Sequence, residues 1–219
     1  GTEGMPRAAT AIAVVAWGAA VPAVVLSVVA RPPLDEGLWF LAVDVMVACV
    51  YGTVAAVILA RRRHPVPWLL ALAAVGGGLA ALGFAYRSLV AERPGLPELE
   101  ALGALQGLAW VPGTLALFLV VPWLVRDHAL GRAIWGVVAG TVLIVVFLVI
   151  QIAGAEDAFP ALVGAIVVMG LVTAAAVEVR HRRGPVAERN GLGWLALGAA
   201  LLALSFLPLA LPWGMLAIP

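Results

Sequence analysis

The chain has 219 residues, 64% of them apolar and 11% charged, with a formal net charge of +1 and a mean hydropathy of +1.10. That composition excludes an ordinary soluble domain and marks a polytopic membrane protein whose first partner is the lipid bilayer. All thirteen basic residues are arginine, which excludes a retinal protein that holds its chromophore as a lysine Schiff base; no nucleic-acid partner is expected.

A helix needs about 20 mostly apolar residues to cross a hydrocarbon core of roughly 30 Å, because every backbone N–H and C=O must be satisfied within the segment. Residues 1–8 are read as a cytoplasmic segment, in which Gly1 to Gly4 ahead of Met5 look like a remnant added before the natural start. The first span lies near 9–30, too long for the roughly 7–15 residues of a signal-peptide core. The second, near 37–60, carries Asp44, and the third, near 66–86, is thinned by Gly76-Gly77-Gly78. The fourth is expected near 101–125, with Gly103 and Gly107 spaced for close helix approach and Pro112 and Pro122 able to kink it. The fifth lies near 133–153 with Gly136 and Gly140 at the same spacing, the sixth near 159–178, and the seventh near 192–215. The expectation is an all-α bundle of seven transmembrane helices with short loops, one domain over residues 9–219. The alternation of a β-barrel is absent.

Arginine placement gives the orientation, since short arginine-rich loops stay cytoplasmic. With the N-terminus inside, the cytoplasmic segments hold Arg7, Arg61, Arg62, Arg63, Arg126, Arg132, Arg180, Arg182, Arg183 and Arg189, against only Arg31, Arg87 and Arg93 outside. The inner arginines are expected to set topology and bind lipid headgroups. Trp39 and Trp213 then fall at the outer interface, with Trp68, Trp123, Trp135 and Trp194 at the inner one. Seven spans put Pro219 outside, and the last span ends without a charged stop, which is compatible with continuation into another span.

Chemistry inside the spans is sparse. Asp44 is the one acidic or basic residue well within a span, and a carboxylate in hydrocarbon costs several kcal/mol unless protonated, paired or hydrated. It should face the bundle, paired with Arg87 or bonded by a tyrosine or tryptophan. Tyr51 lies seven residues on, along the same helical face. The longest outer connection, Arg87 to Glu100, contains Pro94, Gly95 and Pro97, which prevent helix continuation. Its Glu92, Glu98 and Glu100 suit a cation or a cationic peptide. The candidate outward-facing pocket is Asp44, Tyr86, Arg87, Glu98, Gln106, Trp110 and Gln151, taking a small molecule, lipid or peptide.

Enzyme chemistry is not expected in this chain. His64, His128 and His181 all fall in cytoplasmic loops, so no intramembrane histidine pair exists to ligate haem. Cys49 is solitary, which leaves no disulfide relay and no cysteine zinc site. No paired-aspartate motif or glycine-rich phosphate loop occurs. No catalytic residue, metal or cofactor is assigned.

Two cytoplasmic segments carry a family resemblance. Arg61 to Leu70 is similar to a signature of actinobacterial sensor histidine kinases with multi-span N-terminal membrane domains, in which an arginine pair precedes Asn-Pro, a small apolar residue and Gly-Trp-Leu-Leu. Pro65, Trp68, Leu69 and Leu70 match, while His64 and Pro67 replace the Asn and Gly. Arg180, Arg182, Arg183 and Gly184, then Glu188-Arg189, Leu192 and Trp194-Leu195, resemble the family's arginine-rich turn, with Asn190 and Gly191 where glutamines are usual. The resemblance implies a sensory module in a bacterial plasma membrane. It also implies a homodimer formed through a C-terminal region outside this chain, where the phosphorylated histidine and ATP-binding domain belong. The alternative is a non-enzymatic transporter or membrane-complex subunit.

Overall fold

The computed structural model describes residues 4–32, 34, 36–61, 63–125, 130–184 and 189–206, with backbone alone for 4–6, 36, 189–195 and 205. The helices in chain order are α1 (Gly4–Ala30), α2 (Glu36–Arg61), α3 (Val66–Glu92), α4 (Glu100–Leu108), α5 (Val111–Leu119), α6 (Val121–Leu124), α7 (Ile134–Ala153), α8 (Phe159–Arg183) and α9 (Arg189–Ser205), with 3-10 turns at Gly131–Ala133 and Glu156–Ala158. No strand occurs among the described residues. By length and composition, six segments there are long and apolar enough to cross a membrane: Arg7–Ala30, Gly37–Arg61, Val66–Glu92, Glu100–Leu119, Gly131–Ala153 and Glu156–Arg183. The expected seventh span reaches only to Ser205 as α9, and its remainder with Pro208, Pro212 and Trp213 lies outside the described residues, as do Asp35, Arg62, Arg126, His128 and Glu188.

The fourth span is not one helix. Pro112 offers no N–H to the carbonyl of Leu108, four residues back, and α4 ends at Leu108. Pro122 does the same to Phe118, and α5 ends one residue later at Leu119. Pro22, by contrast, sits inside an unbroken α1. Two boundaries also move: α3 continues past residue 86 to Glu92, so Arg87 is a helical residue, and α8 continues to Arg183, so Arg180, Arg182 and Arg183 of the supposed turn stand on its last turn.

The chain divides into two compact units, Gly1–Thr114 and Leu115–Pro219. In the first, α3 is the central element, packed against α1, α2 and α4. Its core is built of small residues, among them Ala16, Ala23, Ala48, Ala55, Ala74 and Ala81, each at 0% exposure. Small side chains let backbones approach, which is how helices gain packing energy where lipid is as apolar as leucine. The glycine triplet shows this directly, because each member faces a different neighbour. A Cβ on Gly76 would collide with the Ala109 carbonyl at the α4–α5 break; one on Gly77 would lie 3.1 Å from the Asp44 carbonyl of α2, and one on Gly78 3.0 Å from Ala19 Cβ of α1. Seven residues on, Gly83 would meet the Leu102 carbonyl at 2.5 Å, and from the other side Gly113 would strike the backbone of Ala73. The α3–α4–α5 seam is therefore antiparallel and backbone to backbone. The Gly103 and Gly107 pair does not form it, since the nearest atom to a Cβ on Gly103 is Arg87 Cδ at 3.9 Å and Gly107 has nothing within 4 Å.

In the second unit, α8 buries Ile166, Gly170, Thr173 and Val177 along one stripe. Val177 packs with Ala196, and Gly170 approaches Ala203, so α9 runs antiparallel to α8. The Phe118 and Phe206 rings meet at 5.5 Å between centroids. The α7 helix buries only Gly136, Gly140 and Phe147. Val138, Val142, Val145 and Val149 are exposed, as suits a surface solvated by lipid. A left-handed Gly154 (φ 67°) ends α7, with Gly154 N–H bonded to the Gln151 carbonyl and Ala155 N–H to that of Ile150, the paired bonds that satisfy the last carbonyls of a helix.

Candidate functional site

The candidate site is a cleft of about 820 Å³ in the first unit, between the end of α3 and the start of α4. Pro94, Gly95 and Pro97 force the chain out of helix here, and the 93–99 connection folds back over α3. Two side-chain bonds hold the fold-back. The Tyr86 hydroxyl donates to the Pro97 carbonyl at 2.7 Å, and the Arg87 guanidinium donates to Gln106 Oε1 of α4 at 2.8 Å. The cleft wall is mixed, with Tyr86, Arg87, Glu98 and Glu100 among apolar residues that include Leu96 and Leu99.

Of the seven pocket residues expected from sequence, Tyr86, Arg87 and Glu98 line this cleft, and Gln106 joins it through Arg87. Asp44 does not. Its backbone packs beside Gly77, ten residues from Arg87 along α3, or about 15 Å at the rise of a helix. The expected Asp44–Arg87 pair is absent, because Arg87 is engaged by Gln106, and Asp44, half-buried, makes no hydrogen bond or ion pair among the described residues. The expected bond from a tyrosine or tryptophan is also missing: Trp17 of α1 donates instead to Thr53 Oγ1 at 3.0 Å, and Thr53 donates to the Cys49 carbonyl. Trp110 falls at the α4–α5 turn, outside the cleft wall, and Gln151 is exposed near the end of α7 in the second unit.

Sequence reasoning missed Leu96 and Leu99 as lining residues, although it identified their connection; of the three glutamates it named there, Glu98 and Glu100 line the cleft and Glu92 does not. It also missed Gly83. The useful signal was its spacing of seven from Gly76, which puts both on one face of α3.

The arginine-rich ends divide into structural and solvated groups. Arg180 bonds two main-chain carbonyls of the α6 terminus, Pro122 at 3.3 Å and Val125 at 2.9 Å. These are orphan helix-end carbonyls, where a cation is favourable, so Arg180 serves the fold before any headgroup. Beside it, Trp123 is half-buried. Its indole N–H donates to Thr173 Oγ1 at 3.1 Å, and its ring fills the space over Gly136. Arg182 pairs with Glu178 at 2.7 Å on the surface, and Arg61, Arg132 and Arg183 are exposed. His64 has a local role as well: its Nδ1 accepts the Val66 N–H at 3.2 Å at the start of α3, a turn bond that an asparagine in its place would also make.

No family model, curated protein or solved structure matches the chain. The described residues hold no group of three or more metal-ligating side chains. The cleft presents one guanidinium, two carboxylates and an apolar wall, a set suited to binding a charged ligand.

Proposed function

We propose that this chain is the membrane sensory and signal-transducing module of a two-component histidine kinase, with the cleft on the outer face of a bacterial plasma membrane. The carrying observation is the cleft's construction at the α3–α4 connection, with Tyr86 and Arg87 on α3 tied respectively to the loop and to α4. A ligand that prefers one setting of these ties biases the position of α4 against α3, and differential affinity for two arrangements is what a signal requires. Arginine asymmetry supports the orientation, and the two arginine-rich motifs support the kinase connection. The assay is autophosphorylation of the full natural gene product in proteoliposomes, comparing wild type with Tyr86→Phe and Glu98→Gln. A shifted stimulus response in either variant supports the reading. Absence of phosphoryl transfer, or responses identical to wild type in both, refutes it.

A transporter is the second reading, favoured by the broken fourth span. Discontinuous helices near mid-membrane, beside an acidic residue on a neighbouring helix, are features of secondary transporters. Here the break at Ala109–Trp110 touches Gly76, and Asp44 touches Gly77. Solute-dependent proton flux in liposomes, abolished by Asp44→Asn, would favour it over the sensor.

A further inference from the structure

We infer that the α3–α4 cleft binds the headgroup of a zwitterionic phospholipid bearing a primary ammonium, with Arg87 taking the phosphate and Glu98 and Glu100 the ammonium. The inference rests on reading the cleft as a ligand site and names the class of ligand. Depth is the first argument. At 27 residues α3 is about 40 Å long, against a hydrocarbon core of roughly 30 Å, so a centred α3 overhangs the core by about 5 Å at each end. The Arg87 backbone, about 7.5 Å from the helix end, lies just inside the core edge, and its long side chain snorkels to headgroup level. A guanidinium there meets phosphates.

Charge is the second argument. Arg87, Glu98 and Glu100 line one cleft, yet neither carboxylate pairs with the guanidinium or with any other described group. Arg87 spends one of its five N–H donors on the neutral Gln106. Opposite charges that share a cavity without meeting complement a molecule carrying both charges. An anionic headgroup would face two carboxylates, and a simple cation would face the arginine. A quaternary ammonium has no N–H to give a carboxylate, whereas a primary ammonium has three. Leu96, Leu99 and Val90 supply the apolar side that a glycerol backbone and upper acyl chain require.

The test is native mass spectrometry of the protein released from vesicles holding equal phosphatidylethanolamine, phosphatidylcholine and phosphatidylglycerol. Wild type should retain phosphatidylethanolamine over each of the others by about tenfold, the effect of one charge-assisted hydrogen bond. Arg87→Gln and the double variant Glu98→Gln/Glu100→Gln should each lose that preference. Should Arg87→Gln fail to fold, the double variant decides, since both glutamates are exposed and unpartnered among the described residues. Equal retention of the three lipids by wild type, or a preference that survives in the double variant, overturns the inference. Displacement of the lipid by free phosphoethanolamine at millimolar concentration overturns the membrane as its source. Because the readout is binding, a wild type that keeps the lipid preference but shows no phosphoryl transfer counts against the sensor reading alone.

Discussion

Replacing Gly83 with alanine tests the α3–α4 seam and the cleft together. The new Cβ would lie 2.5 Å from the Leu102 carbonyl oxygen and 3.3 Å from Gln106 Cβ. Carbon and carbonyl oxygen in ordinary contact are about 3.3–3.6 Å apart, so α4 must retreat by about 1 Å. The obstruction is main chain, which no rotamer change can relieve. Overpacking of this kind costs about 1–3 kcal/mol, less the roughly 0.5–1 kcal/mol by which alanine is better than glycine inside a helix. The net expectation is a loss of up to about 2.5 kcal/mol, centred near about 1 kcal/mol. Gly107→Ala is the control: nothing lies within 4 Å of its Cβ, so it should be neutral or stabilising by up to about 1 kcal/mol. Both are measured by reversible unfolding in mixed micelles, followed by helical circular dichroism. The retreat also stretches the 2.8 Å Arg87–Gln106 bond, so hydrogen exchange in residues 93–99 should quicken in Gly83→Ala and not in Gly107→Ala. Equal stability of Gly83→Ala and Gly107→Ala, or a greater loss in Gly107→Ala, refutes the seam.

The same unfolding measurement separates the arginines. Arg180→Gln removes two charge-assisted bonds to half-buried carbonyls and should cost about 2–4 kcal/mol, whereas Arg182→Gln breaks only the surface pair with Glu178 and should stay within about 0.5 kcal/mol of wild type. Trp123→Phe keeps the ring over Gly136 but loses the N–H bond to Thr173, for a loss of about 1 kcal/mol. Gly154→Ala forces a side chain into the left-handed region at φ 67° and should cost about 1 kcal/mol.

The helical class and most span positions were legible because they follow from apolar run length, a property of composition along the chain. Where the expectation failed, the deciding interaction was between elements. Pro112 and Pro122 were visible as kinks, but whether proline bends a helix or ends it depends on what else satisfies the freed carbonyl, and Pro22 sits in an unbroken helix while the other two accompany breaks. Gly103 and Gly107 carried the familiar spacing, yet Gly76, Gly83 and Gly113 make the close contacts, since spacing on one helix does not say which face meets a partner. Asp44 and Arg87 looked like natural partners by charge. Their separation along α3 only emerges once Gly77 fixes the register of α2. The cleft was half legible: Pro94, Gly95 and Pro97 predicted a shaped connection, while the bond from Tyr86 to the Pro97 carbonyl joins a side chain to a main-chain atom and leaves no pattern in sequence.

The register of the α3 glycines bears on how a signal entering at the cleft would travel. Gly83 lies four residues below Arg87, and Gly76 a further seven, about 10 Å at the helical rise. At both positions α3 touches the next segment through backbone atoms, so there is no side chain to repack and absorb a displacement. A shift of α4 at the cleft is therefore passed along the seam to the α4–α5 break at Ala109–Trp110, where Pro112 has already removed a helical hydrogen bond. At that depth α3 also meets α2 through Gly77 and α1 through Gly78. The triplet is thus the place in the first unit where motion of one helix must be felt by all the others. Gly76→Ala, whose Cβ would collide with the Ala109 carbonyl, should therefore quicken hydrogen exchange in residues 93–99 as Gly83→Ala does; unchanged exchange there would refute transmission along the seam.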